Sequence, residues 1–154
     1  IFHPGGNIGQ TLLLVKDIMT TGKKLPTINY NQTIDKAIKI INLKKLGLVV
    51  ITKKKYVVGI LVDGQVRRGI KNYSKNEKVN KFMTTSPIFI NESASASKAL
   101  ALMNNKKITS LLVKSDKDIK KNSSIKLKGI IHIHELLRYG IKWHLEKKNF
   151  YQFN

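Results

Sequence analysis

Two short polar clusters hold most of the side chains able to do chemistry in this 154-residue chain. Asp63 is followed by Arg67 and Arg68, and His132 by His134, Glu135 and Arg138. Guanidinium groups neutralise phosphates or carboxylates, and carboxylates accept from hydroxyls, so such a set suits an anionic ligand bearing sugar hydroxyls. The competing reading makes the arginines helix-surface cations paired with carboxylates, an arrangement that contributes little. His132 and His134 alternate along an expected strand and so share a face. Two imidazoles without further ligands at matching spacing do not make a metal site. Cysteine is absent, which excludes disulfides, thiol catalysis and cysteine-bound zinc. His3 stands apart, in a His-Pro-Gly-Gly turn whose Pro4, Gly5 and Gly6 aim its ring.

The elements that must position these groups come as a duplication. Each half opens with Met-Thr-Thr, at Met19-Thr20 and at Met83-Thr84. A short extended piece follows, Leu25 to Asn29 and Pro87 to Ile90. Ile34, Ala37, Ile38 and Ile41 then fall at helical period, as do Ala96, Ala99, Leu100 and Met103. Thr33 and Ser95 stand where a hydroxyl caps the first turn. Two apolar runs come next, Leu48 to Ile51 and Leu111 to Val113. Each is followed by a polar turn and a second strand, Val57 to Val62 and Leu127 to Ile133, which reads as a hairpin. Gly59 and Gly129 interrupt those second strands, as glycine does where another backbone or a ligand comes close. A final helix closes each half, in "DGQVRRGIKNY" and "HELLRYGIKWHL".

Thr33 and Ser95 are 62 positions apart, as are Ile51 and Val113, whereas Gly59 and Gly129 are 70 apart. The second hairpin therefore carries eight extra residues, within the polar "SDKDIKKNSSIK". The expected fold is α+β: two β-α-β-β-α units packed as a pseudo-two-fold pair, with clefts between them. With 42% hydrophobic residues the chain can bury the core this needs.

Units of this order, opening with "DIMTT" or "FMTTSP" and ending in "GILVDGQVRRGI" or "GIIHIHELLRYGI", resemble a tandem CBS-domain (Bateman) pair. "HPGGNIGQTLLLVKDIMTTGKKLP" is similar to the junction between a sugar-isomerase (SIS) domain and such a pair. Together with "KKLGLVVI" and "KITSLLV", it resembles the C-terminal region of the arabinose 5-phosphate isomerase family. The resemblance implies the end of an SIS domain and linker over 1–15, CBS units over 16–73 and 79–142, and a tail over 143–154. It makes His3 an acid/base group of the parent isomerase, suited to proton transfer between adjacent sugar carbons. This chain alone, which lacks the sugar-phosphate pocket, is expected to be inactive.

The resemblance also implies a nucleotide-type effector between the units. The expected effector cleft comprises Met19, Thr20, Asp63, Arg67, Arg68, Met83, Thr84, His132, His134, Glu135 and Arg138. Family members that bind adenine nucleotides carry Ser or Thr three residues after the strand glycine and Asp three further on. Here Gly59 is followed by Val62 and Gln65, and Gly129 by His132 and Glu135. That departure, and end-product control of a committed step, point to a nucleotide sugar such as CMP-Kdo. No other cofactor and no metal are expected. The alternatives are a structural pair whose ligand site has decayed, and a nucleic-acid-binding CBS protein.

The formal charge of +20 speaks for the last of these only superficially. Lysines are scattered along the whole chain and the only arginines are Arg67, Arg68 and Arg138. A nucleic-acid reader gathers cations on one face and uses arginine for bidentate contacts. The abundance of Lys, Ile and Asn instead fits an AT-rich genome. No apolar run approaches the roughly 20 residues of a membrane span. The expected setting is a cytoplasmic homo-oligomer, tetrameric in the parent enzyme, with the upstream SIS domain as partner and neither membrane nor nucleic acid engaged.

Overall fold

A computed structural model describes residues 13–69, 74–119 and 124–142. His3 and the 143–154 tail lie outside the described residues, as do residues 120–123 of the inserted loop. The elements run α1 (Val15–Ile18), β1 (Thr27–Asn29), α2 (Ile34–Lys44), β2 (Leu48–Lys53), β3 (Tyr56–Val62) and α3 (Asp63–Gly69). The second set is β4 (Phe89–Asn91), α4 (Ala96–Lys106), β5 (Ser110–Lys114), β6 (Gly129–His132) and α5 (Ile133–Arg138). Short 3-10 turns at Gly22–Lys24 and Val79–Lys81 precede β1 and β4.

Each half builds one three-stranded sheet, in the orders β1-β2-β3 and β4-β5-β6. The first pair in each is parallel and the second antiparallel. The α+β class and the two-fold repeat are those the sequence implies. The two long helices start alike: Thr33 accepts from the Lys36 N–H at 3.4 Å and Ser95 from the Lys98 N–H at 3.0 Å. Such caps satisfy amides that have no partner within the helix.

The closing helix of the second half is shorter than its apolar pattern suggests. It stops at Arg138 because Gly140, at φ 77, turns the chain left-handed. Gly140 N–H then donates to the Leu137 carbonyl, and Ile141 N–H to that of Leu136. This Schellman stop seats Ile141 in the core from beyond the helix end, at 2% exposure.

The main feature that periodicity does not reveal is an exchange. The segment leading into each half packs on the other half. Val15 and Ile18 of α1 join Leu100, Leu111, Ile131 and Leu136 in the core of the second unit. Val79 in turn is buried with Ile34, Ile51 and Leu61 in the first. Backbone bonds fix both crossings. Thr20 exchanges two with Ile130, at 2.8 and 3.0 Å, and Thr84 exchanges two with Ile60, at 2.8 and 2.9 Å. A third apolar cluster, with Leu48, Val50, Val57, Leu112 and Ile130, joins the two sheets. Neither sheet can cover both faces alone, so the pair is the folding unit.

The β2–β3 hairpin turns at Lys54 and Lys55, whose φ values are 51 and 72. Two-residue hairpin turns of this left-handed kind favour Asn-Gly, because a Cβ there crowds the backbone. Replacing the pair, Lys54→Asn with Lys55→Gly, is expected to stabilise the protein by about 1 kcal/mol in urea unfolding.

Candidate functional site

A cleft of about 590 Å³ opens between the units. Its apolar wall includes Ile60 and Val62 of β3, Ile108, and Leu112 of β5. Its polar groups come from three places: Asp63 and Gln65 at the start of α3, Thr84 in the exchanged segment, and Lys107, Thr109 and Ser110 after α4. Two hydrogen bonds tie lining residues in place, the second of them crossing between the units. The Asp63 N–H donates to the Gly47 carbonyl at 2.8 Å, and the Ser110 hydroxyl donates to the Leu46 carbonyl at 3.3 Å. An apolar slot with a few convergent hydroxyls and a cation is suited to a small, partly anionic molecule.

Gln65 explains its own presence. Its Oε1 accepts from the Val62 N–H at 3.0 Å, and its Nε2 donates to the Thr84 hydroxyl at 2.8 Å. One side chain thus caps the start of α3 and ties it to the segment donated by the other unit. An amide has a donor and an acceptor to spend on these two tasks, whereas a carboxylate has acceptors only. A ligand hydroxyl must compete with both bonds.

The other expected residues fall into two groups. Asp63 and Thr84 line the cleft, but Arg67 and Arg68 do not. Arg67 pairs with Asp63 at 3.0 Å on an exposed helix face, and Arg138 with Glu135 at 3.6 Å. With the arginine side chains 78% and 76% exposed, solvent screens both pairs and their contribution is small. The Arg68 guanidinium folds back over Gly64. The helix-surface reading of Arg67 and Arg138 therefore accounts for their geometry. Met19 and Met83 fill the crossings: their sulfurs lie over Gly129 and Gly59, where a Cβ would come within 2.6 and 2.7 Å.

Thr20 lines a separate pocket of about 280 Å³ with Lys24, Leu43, Lys44 and Leu46. Lys44 Nζ donates to the Lys23 carbonyl at 2.7 Å beside it. His132, His134 and Glu135 line neither this pocket nor the cleft. The strand stops at His132, so the two histidines do not alternate along it as the sequence suggests. His132 caps α5 instead: its Nδ1 accepts from the His134 N–H at 3.1 Å, and the rings meet edge to face at 4.6 Å. Neutral His132 therefore carries its proton on Nε2. Among the described residues no three His, Cys, Asp or Glu side chains gather to hold a metal.

Burial holds the His132 pKa below its usual value; the His134 charge adds to this and Glu135 opposes it. A base whose folded pKa is depressed binds more protons when unfolded. Its stability contribution is therefore intact above the ordinary histidine pKa and is lost as pH falls through that value. The melting temperature is expected to drop as pH falls below about 6.5, and to drop less in His132→Asn, which keeps a capping acceptor without titrating.

Lys107, Thr109 and Ser110 are cleft residues that the sequence reading missed. The available signal was the repeat of "KKLG" and "KKIT" at the ends of the two long helices: Lys45 and Lys107 share a left-handed conformation, at φ 59 and 56, and Gly47 and Thr109, two residues on, both line the cleft. Among the described residues no helix is long and apolar enough to cross a membrane.

Comparison with known proteins agrees with this architecture. The CBS domain family matches twice, at residues 15–72 and 79–142. Arabinose 5-phosphate isomerase KdsD of Yersinia pestis is 38% identical over 145 residues, covering 90% of this chain and 41% of the relative. An uncharacterized protein of Rickettsia prowazekii is 36% identical over 142 residues, covering 92% of this chain and 42% of its own. The chain thus spans about two-fifths of the length of these relatives. Among solved structures, the CBS domain pair of protein MJ0100, in complex with 5'-methylthioadenosine and S-adenosyl-L-methionine, superposes with a TM-score of 0.68. It shares 20% identity and covers 82% of this chain and 94% of that one. Two family matches, two exchanged units and the cleft between them converge: the chain belongs to the CBS-domain family and carries a tandem pair of CBS domains.

Proposed function

We propose that this CBS pair is the regulatory region of an arabinose 5-phosphate isomerase, and that the cleft between its units takes a nucleotide-type effector. The carrying observation is the 590 Å³ cleft, apolar along one wall and furnished with Thr84, Thr109, Ser110 and Lys107. The relatedness to arabinose 5-phosphate isomerase over 90% of the chain supplies the parent reaction, interconversion of D-arabinose 5-phosphate and D-ribulose 5-phosphate. In this reading the chemistry belongs to an SIS domain, with His3 at its edge, in a cytoplasmic homo-oligomer. The CBS pair senses a ligand and does not catalyse.

The effector in this reading is a nucleotide sugar of the CMP-Kdo type. Support comes from Val62 and Gln65. Val62 has no hydroxyl for a phosphate, and Gln65 is engaged at both ends of its amide. Calorimetry with CMP-Kdo, CMP, AMP and ATP tests it. The expected result is tighter binding of a cytidine ligand than of either adenine nucleotide, weakened by roughly 1.5 to 3 kcal/mol in Lys107→Gln, the worth of a hydrogen bond to a charged group. Tighter binding of AMP or ATP overturns the choice of ligand. Binding of none of the four favours a structural pair with a decayed site, the reading that the Gln65 latch also accommodates.

A further inference from the structure

The end of the molecule away from the cleft holds a second concavity, of about 410 Å³, lined by Tyr56, Lys117, Lys126, Lys128, Ser115 and Ser124 among others. Strand β3 carries the chain roughly 20 Å from Val62 at the cleft to Tyr56 at this end, at about 3.3 Å per residue. Here the two hairpins meet. Tyr56 and Lys126 form an antiparallel bridge, and the Val57 N–H donates to the Ile125 carbonyl at 2.8 Å.

The floor is ordered by its own bonds. Asp118 Oδ2 accepts from the Lys126 N–H at 3.2 Å, the Asp118 N–H donates to the Ser115 carbonyl at 2.9 Å, and the Lys117 N–H donates to the Ser115 hydroxyl at 3.3 Å. The ion pairs among the described residues are Lys39–Asp35, Arg67–Asp63 and Arg138–Glu135. Lys117, Lys126 and Lys128 thus have no carboxylate within ion-pair distance among the described residues, although Asp118 lies on the pocket wall. The hairpin turn just before Tyr56 carries Lys54 and Lys55, which are next in sequence but not on the pocket lining.

We infer that this pocket binds a small ligand through a chain of two or more phosphate groups. Three ammonium groups, two serine hydroxyls and a tyrosine around one concavity match the charge and acceptors of such a chain. The volume suffices for it, since small-molecule sites begin at about 300 Å³. Tyr56 does not offer its ring face freely for a base, because Lys126 Nζ stands 5.7 Å from its centroid. The phosphate chain is therefore the recognised part, whether it is free or borne by a nucleotide.

The probe is inorganic tripolyphosphate, titrated calorimetrically into the chain at about 0.15 M salt, where long-range attraction between exposed charges is screened. Lys126→Gln with Lys128→Gln is expected to weaken binding by roughly tenfold or more. Arginine at both positions should keep it, and Lys36→Gln with Lys39→Gln, on a different surface, should leave it unchanged. ATP and CTP competing equally with the probe at this pocket would show that a nucleotide is held by its phosphates alone. No binding, equal weakening by the Lys36 and Lys39 changes, loss on Lys107→Gln in the cleft, or stronger competition by duplex DNA than by free nucleotides each overturns the inference.

Discussion

Gly129→Val is expected to destabilise the protein by about 3 kcal/mol, and Gly59→Val by a similar amount. The reason lies in the exchange of lead-in segments. At Gly129 a Cβ would stand 2.6 Å from the Met19 sulfur and 2.8 Å from the Thr20 carbonyl oxygen. At Gly59 the corresponding distances, to Met83 and Thr84, are 2.7 and 2.8 Å. A thioether can swing away, but a backbone oxygen moves only with its strand. Moving that strand sacrifices the paired bonds of Thr20 with Ile130, or of Thr84 with Ile60, at about 1 kcal/mol each. It also unseats buried Val15 and Ile18, or Val79. Urea unfolding of each variant measures the loss. A change below about 0.5 kcal/mol, the range of an ordinary surface substitution, would mean that the crossings are not tightly packed.

That exchange also marks the boundary between what was legible in the sequence and what was not. The strands, hairpins and long helices could be read because their signals are local: Ile34, Ala37 and Ile41 share a face, and Thr33 caps it. The eight-residue offset was legible from glycine spacing. The crossings were not, because Thr20 and Ile130 meet across most of the chain and nothing local records a pairing. The repeated Met-Thr-Thr and the repeated strand glycine were both visible. Their mutual fit, methionine over glycine, appears only in three dimensions. The cleft was partly legible for a similar reason. Asp63 and Thr84 lie at element ends that a repeat exposes, whereas Lys107, Thr109 and Ser110 reach the cleft through a helix terminus with a left-handed residue. Arg67 and Arg138 attracted attention through charge, and the helix surface accounts for their pairing.

Leu112→Ala is the second change with a large expected effect. Leu112 is 2% exposed and sits in the apolar cluster that joins the two sheets, beside Ile130 and across from Val50 of the pseudo-equivalent strand. It also lines the cleft between the units. Truncation removes buried methyl groups and leaves a void that strands on both sides are too well paired to fill. The expected loss is about 3 kcal/mol in equilibrium unfolding, within the range for a buried leucine. Because the void adjoins the cleft, the same variant should also weaken the cleft ligand. Exposed Leu43→Ala, at 72% exposure, should change stability by less than about 0.5 kcal/mol and serves as the reference. A small effect for Leu112→Ala would mean that the sheets are joined loosely and that the cleft is shaped by something other than this core.

The central claim is that the space between the two CBS domains is a ligand site and that the cleft lined by Thr84, Lys107 and Ser110 is the one in use. Amide chemical shifts of the isotope-labelled chain, followed while CMP-Kdo, CMP, AMP and ATP are added in turn, test it directly. The account predicts saturable shifts concentrated at Gly47, Ile60, Thr84 and Ser110 for at least one of these ligands, with far smaller changes at Thr20 and Lys24 around the separate pocket. Shifts centred on Thr20 and His132, or none between the domains for any of the four, would contradict it.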